Sequence, residues 1–158
     1  MTEQEGKRVS DSYMEQVHVI ESEHLNRIQT LFGGQLMSWM DILAGAVGGH
    51  YSGGSATVVA VDELQIMSPA KLGDTLVYQA RVTNVGKTSM EVLIEVDIED
   101  ADKTRKRISE AYVLTVALGE NGRPTPVPPL IIETKEEQAL WEAAEERKER
   151  RNKRRAKA

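Results

Sequence analysis

The sequence predicts an α+β fold in which a mostly antiparallel sheet wraps one long helix. Two observations carry this. From Gly33 to about Val47 apolar residues recur at three-and-four spacing, the mark of an amphipathic helix. After residue 55, four segments rich in Val, Ile and Thr follow one another, two of them in clear period-two alternation. One helix followed by consecutive strands favours a layer of helix on sheet over a doubly wound parallel architecture.

Taken in order, Tyr13 to Ile20 alternates loosely, with Val17 and Val19 in step, and predicts a first strand. Glu21 to Thr30 is polar and predicts a loop. The helix stripe is Leu36, Met37, Met40, Leu43, Ala44 and Val47. Gly45, Gly48 and Gly49 weaken the helix end and allow close packing, and His50 to Ser55, with Gly53-Gly54, predicts a turn. Strands are expected over Ala56 to Ile66, Thr75 to Val85, Ser89 to Ile98 and Ile108 to Leu118. The connectors are Pro69 to Asp74, Asn84 to Lys87 and Glu99 to Arg107. Asn121 to Pro129 holds four prolines and predicts an extended exit segment. Glu136 to Glu146 suits a helix anchored by Leu140 and Trp141. Arg147 to Ala158, with eight basic residues and one acid, is most simply a solvated helical tail, the alternative being a patch for polyanions. The expected organisation is a flexible segment 1–12, a domain 13–130 and a charged helical tail 131–158.

Composition narrows the function classes. A net charge of -5 argues against nucleic-acid binding by the core, and one Phe and two Trp make a poor base-stacking platform. With no cysteine there is no disulfide, thiolate metal site or Cys nucleophile. No basic-then-apolar leader or bilayer-length apolar run is present, so a cytoplasmic protein without stable membrane insertion is expected. The three histidines, His18, His24 and His50, have no metal-ligand spacing, and no nucleophile elbow or phosphate-binding loop occurs. Neither a metal nor another cofactor is expected.

The chemistry concentrates between Asn26 and Asp41. The Gly33-Gly34 pair at the helix start exposes backbone N–H groups where the helix dipole favours negative charge, such as a developing oxyanion. Asn26 is a polar orienting group in the preceding loop. Asp41 lies at the edge of the apolar stripe, near Gly45 and Gly48. A carboxylate beside a core face loses solvation, which suits a general base. These are the parts that acyl transfer or hydrolysis requires. A second polar cluster, Gly86-Lys87-Thr88-Ser89, offers backbone amide, two hydroxyls and a cation, suited to phosphate or to amides. Arg105, Lys106 and Arg107 form a basic run, most simply solvated, the alternative being a contact for nucleotide phosphates. Met37, Met40 and Met67 are most simply core residues, the alternative being that some of these adaptable side chains line an acyl tunnel.

These residues resemble the hotdog-fold acyl-CoA thioesterases, specifically the broad-specificity acyl-CoA hydrolases. The resemblance rests on Asn26, Phe32-Gly33-Gly34 and Met37-Ser38-Trp39-Met40-Asp41, followed by Val59-Ala60-Val61-Asp62. Pro69 with Gly73-Asp74, Val85 to Val92, and Gly122 to Pro128 complete an ordered set from about Val17 to Pro128. Gln29 stands where the family often has glycine, and Ile66 where it often has an aromatic residue. The resemblance implies hydrolysis of acyl-CoA to free acid and coenzyme A, with Asp41 as general base or nucleophile and Asn26 orienting water or the thioester carbonyl. Gly34, with Gly33, would hold the oxyanion. Gly86, Lys87, Thr88, Ser89, Arg105 and Arg107 are the candidates for the coenzyme A portion. It further implies a homo-oligomer of dimers, a trimer of dimers in the hexameric members, with Asn and Asp of each site on different protomers. A non-catalytic acyl-CoA-binding module and an acyl-thioester hydratase or dehydratase remain alternatives. The latter use an Asp/His pair, for which no histidine here is well placed.

Overall fold

The computed structural model describes residues 4–157. Helix α1 (Gly33–Ser52) lies in the concave face of a five-stranded antiparallel sheet. Its strands are β2 (Met14–Val19), β3 (Ser55–Ile66), β4 (Thr75–Val85), β5 (Ser89–Glu99) and β6 (Arg105–Leu118), in the order β2-β4-β5-β6-β3. Short β1 (Lys7–Arg8) and β7 (Leu130–Ile131) pair in parallel, and α2 (Lys135–Ala156) closes the chain. This is the helix-in-sheet arrangement expected from the sequence.

The core follows from the two periodicities. Leu36, Met40, Leu43, Ala44, Val47 and Tyr51 of α1 pack on Met90, Val92, Ile94 and Val96, alternate residues of β5, and on their neighbours in β4 and β6. Tyr51 and Tyr78 are buried, and each hydroxyl donates to a carbonyl, that of Pro128 at 3.0 Å and that of Leu36 at 3.1 Å. Burial raises both phenol pKa values.

Four expectations are corrected. First, α1 runs through the predicted turn as far as Ser52. Its glycines do not end the helix, while the close packing expected of them is present: a Cβ on Gly48 would sit 2.9 Å from both the Ala56 Cβ and the Thr115 hydroxyl. The helix ends at Gly53, φ 83°, whose N–H donates to the Gly49 carbonyl. Second, Met37 is 44% exposed and so leaves the core stripe. Third, the segment expected to be flexible is ordered from residue 7. The Lys7 N–H donates to the Pro129 carbonyl, and Val9 and Ser12 are buried, with the Ser12 hydroxyl accepting from the Val82 N–H at 2.8 Å. Residues 1–3 lie outside the described region.

Fourth, the basic tail is docked along much of its length. Thr134 caps α2 by accepting from the Glu137 N–H at 3.0 Å, while the Glu137 carboxylate accepts from the Glu133 N–H. The helix then lies on the outer face of the sheet. The guanidinium of Arg147, 5% exposed, donates to both carboxylate oxygens of Glu91 at 2.9 Å and stacks 3.6 Å from the Tyr112 ring centroid. Arg151 pairs with Asp62 at 2.7 Å. The charge run looked solvated because its partner acids are scattered over β3 and β5.

Candidate functional site

The polar loop before α1 is built around Asn26. Its side-chain oxygen accepts from the Ile28 and Thr30 N–H groups, both at 3.1 Å, and its amide donates to the Thr30 hydroxyl at 2.9 Å. The Asn26 N–H donates to the Thr30 carbonyl at 2.8 Å. An Asn amide carries two hydrogens, so one remains for a ligand while the others lock the loop. Gln29 closes this turn with φ 64°, the left-handed conformation that glycine adopts at no cost. A glycine at this position would adopt the same turn without strain.

The loop leads directly into the start of α1. Phe32 occupies the N-cap without supplying a side-chain acceptor. The N–H groups of Gly33 and Gly34 have no hydrogen-bond acceptor among the described residues. At Gly33 the nearest obstruction to a Cβ is Ile66, at 3.9 Å; at Gly34 a Cβ would overlap the Phe32 ring, 2.8 Å from its Cζ. Beside this helix start lies a cleft of about 380 Å³ lined by Asn26, Thr30, Gly33, Leu36, Ile66 and Met67, with Ile108 at its floor. Met67, read most simply as core with tunnel lining as the alternative, is half exposed at the cleft. Ile66 borders the same space, so the residue there shapes the cleft.

An aromatic stack supports the loop from behind. Trp39 lies flat on His18, ring centroids 4.1 Å apart, and meets the edge of His24 at 4.9 Å. The His18 Nε2 is buried without a hydrogen-bond partner among the described residues. Burial, and secondarily the nearby His24, lowers the His18 pKa.

Asp41 stands apart from this cleft. It is exposed, eight residues along the helix from Gly33, an axial rise of about 12 Å. The residues lining the cleft do not include it. The desolvation expected for Asp41 is therefore not supplied by its own chain. One protomer brings Asn26 and Gly33-Gly34 together and leaves Asp41 facing outward near exposed Met37 and Ile42.

The β4–β5 turn, Gly86 to Ser89, is held through its carbonyls. The Ala117 N–H donates to the Thr88 carbonyl and the Val127 N–H to the Lys87 carbonyl, both at 2.9 Å. The Lys87 and Thr88 N–H groups have no acceptor among the described residues. In contrast, Arg105 and Arg107 are already engaged. Arg105 pairs with Glu99 at 2.7 Å and with Glu15, and Arg107 with Asp97, Glu95 and Glu110. The strand period puts Lys106 on the other side, where its ammonium lies 3.2 Å from the Ser68 hydroxyl at the cleft. Thr30 is a site-bordering residue that the sequence reading did not place there, and Lys106, read as a candidate phosphate contact within the basic run, borders the cleft instead. The Asx-type clamp from Asn26 to Thr30 and the onset of β6 at Arg105 reveal them.

Among the described residues no group of His, Cys, Asp and Glu is arranged to hold a metal, and no helix is long and apolar enough to cross a membrane.

Residues 28–104 match the thioesterase superfamily model. The chain is 35% identical over 132 residues to an acyl-CoA thioester hydrolase of Bacillus subtilis, covering 82% of this chain and 77% of that one. It superposes on the acyl-CoA hydrolase of Staphylococcus aureus, solved with butyryl coenzyme A and coenzyme A, with TM-score 0.89 and 30% identity over 96% of this chain and 93% of that one. Solved forms of that enzyme include single Asp-to-Ala and Asn-to-Ala variants. A hexameric acyl-CoA thioesterase in its apo form superposes with TM-score 0.90 and 31% identity, covering 96% and 98% of the two chains. Longer mammalian relatives also match, and the chain spans 20% and 37% of two of them. The helix wrapped by its sheet, the Asn26 loop, the open helix start and these matches together show that the chain belongs to the thioesterase superfamily, among the hotdog acyl-CoA thioester hydrolases.

Proposed function

We propose that the chain hydrolyses acyl-CoA thioesters at a site shared by two protomers. The reading is carried chiefly by the Gly33 and Gly34 N–H groups beside the Asn26 loop, which have no acceptor among the described residues. The acyl thioester lies in the apolar cleft with its carbonyl oxygen toward these donors. Asp41 of the neighbouring protomer takes a proton from water, and the resulting hydroxide adds to the carbonyl carbon. The negative oxygen is held by the helix-start amides in the tetrahedral intermediate. Collapse breaks the C–S bond, releasing the acid and the coenzyme A thiolate, which takes up a proton. The free hydrogen of the Asn26 amide orients the water or the carbonyl. Attack by the Asp41 carboxylate itself, through an anhydride, uses the same groups. Neither metal nor organic cofactor has a step in this scheme, and a cytoplasmic setting fits it.

The protomer's surface supports assembly. Strand β3 is a twelve-residue sheet edge with exposed Val59, Val61 and Ile66. Pairing two such edges brings the neighbour's α1 toward the cleft. The first test is thiol release from acetyl- to palmitoyl-CoA by wild type and Asp41→Asn, in a protein with no thiol of its own. Wild type is expected to turn over at least one chain length. Asp41→Asn is expected to lose about a hundred- to ten-thousand-fold in kcat, with the fold and oligomer retained. Tight acyl-CoA binding without turnover at any length would instead mark a binding module.

A further inference from the structure

The short turn Ser22–His24 separates β2 from the Asn26 loop, and His24 ends it. The His24 N–H donates to the Glu21 carbonyl at 3.0 Å, and its Nδ1 accepts from the Glu21 N–H at 2.9 Å. The second bond is the one that a Glu or Gln side chain makes in a capping box. A ring nitrogen that accepts carries no proton, so the imidazole N–H is at Nε2. That atom lies 3.8 Å from the exposed Glu23 carboxylate.

The His24 carbonyl carries the connection onward. It accepts from the Phe32 N–H at 2.9 Å, so His24 and Phe32 form the neck of the loop 25–31. The candidate groups sit at that neck: Asn26 follows His24 by two residues, and Gly33 follows Phe32 directly. On its other side the His24 ring edge meets Trp39 of α1, which stacks on His18 of β2. The His24 side chain is only 16% exposed, and it does not line the cleft. One residue thus ties together the chain leaving β2, the N-cap of α1 and a buried face of α1.

We infer that His24 is a positioning residue for the site. Its Nδ1 bond to Glu21 and its carbonyl bond to Phe32 fix the Asn26 amide relative to the Gly33 and Gly34 N–H groups. What that geometry serves rests on the thioesterase reading. A shift of the loop neck moves the orienting amide away from the oxyanion donors and removes no group that binds substrate. Its effect therefore falls on kcat, not on KM.

The side-chain acceptor can be exchanged. His24→Asn puts an amide oxygen where Nδ1 stands. His24→Gln puts it one carbon further out, at the place of Nε2, and His24→Leu has none. All three lose the ring, so they differ chiefly in the acceptor offered to Glu21. In thiol release from an acyl-CoA, His24→Leu and His24→Gln should lose about tenfold or more in kcat, with KM within about threefold of wild type. His24→Asn should stay within about threefold of wild type in both constants. Deuterium uptake by segment 25–32 of the free protein should be about tenfold faster in the Leu and Gln variants than in wild type and His24→Asn, with uptake by β5 unchanged. If His24→Leu does not fold, the Gln and Asn variants carry the comparison. Wild-type kcat in the Leu and Gln variants, equal losses in the Asn and Gln variants, or a loss confined to KM would overturn the inference and leave the hydrolase reading standing. Faster uptake in both segments of every variant, the mark of general destabilisation, would overturn it too. Should wild type hydrolyse no acyl-CoA, the hydrolase reading fails and the exchange rates decide. Faster loop uptake that His24→Asn restores then supports the positioning role, and equal uptake in all the proteins overturns it.

Discussion

Single residues carry two separate kinds of strain in the Asn26 region. Gln29 holds φ 64°, which costs an L-residue about 1–2 kcal/mol, partly offset against the entropy that glycine would lose. Gln29→Gly is therefore expected to raise stability by about 0.5–1 kcal/mol, read as a higher urea midpoint at unchanged m-value. His18 carries the other. Its pKa is lowered by burial against Trp39, so the folded state favours neutral imidazole. As pH falls below about 6.5 the unfolded chain takes up this proton first, and stability falls with it. The loss in urea midpoint between about pH 8 and pH 5.5 should be smaller in His18→Phe, which keeps a ring on Trp39 and removes the titration. An equal loss in both proteins would show that His18 is not the group responsible.

At the scale of elements, α2 depends on a buried ion pair. The Glu91 and Arg147 side chains are 4% and 5% exposed, so removing one strands the other without a partner. Arg147→Met is expected to destabilise the protein by about 3 kcal/mol, and Arg147→Met/Glu91→Leu to return to within about 1 kcal/mol of wild type. Denaturant melts of the four proteins in the cycle would check this. The same helix shows where sequence reading reaches its limit. Strand β4 falls where the sequence expects it, from Thr75 to Val85, but its burial does not alternate: Leu76, Val77 and Tyr78 are buried in succession. The partners of Arg147 and Arg151 are far away in sequence, and charge counting cannot see them. The glycines of α1 are legible as sites of close packing but not as helix interior: Gly48 is small because Ala56 and Thr115 approach it, a tertiary cause that resembles a local break.

At the scale of the molecule, one chain joins Asn26 and Gly33 at a cleft whose lining does not include Asp41, and on the proposed reading a second chain completes the site. Asn26, Gly33 and Gly34 were legible as a unit because they are close in sequence, and the structure joins Asn26 and Gly33 at one cleft. Asp41 was legible as a candidate, but not its environment, which a second chain would have to supply. A sheet whose edge β3 exposes Val59 and Val61 and whose helix exposes Met37 and Ile42 leaves apolar surface for such a partner. In a two-fold pair each site would take Asn26 from one protomer and Asp41 from the other.

The most direct measurement is complementation between two separately inactive variants, Asn26→Ala and Asp41→Asn, unfolded together in equal amounts and refolded. Random pairing makes half the dimers mixed, and each mixed dimer rebuilds one of its two sites from wild-type groups. Thiol release from an acyl-CoA substrate should recover to about a quarter of the wild-type rate. No recovery, with the reassorted oligomer verified and each variant correctly folded, would place both groups in one protomer's site and contradict the shared-site mechanism.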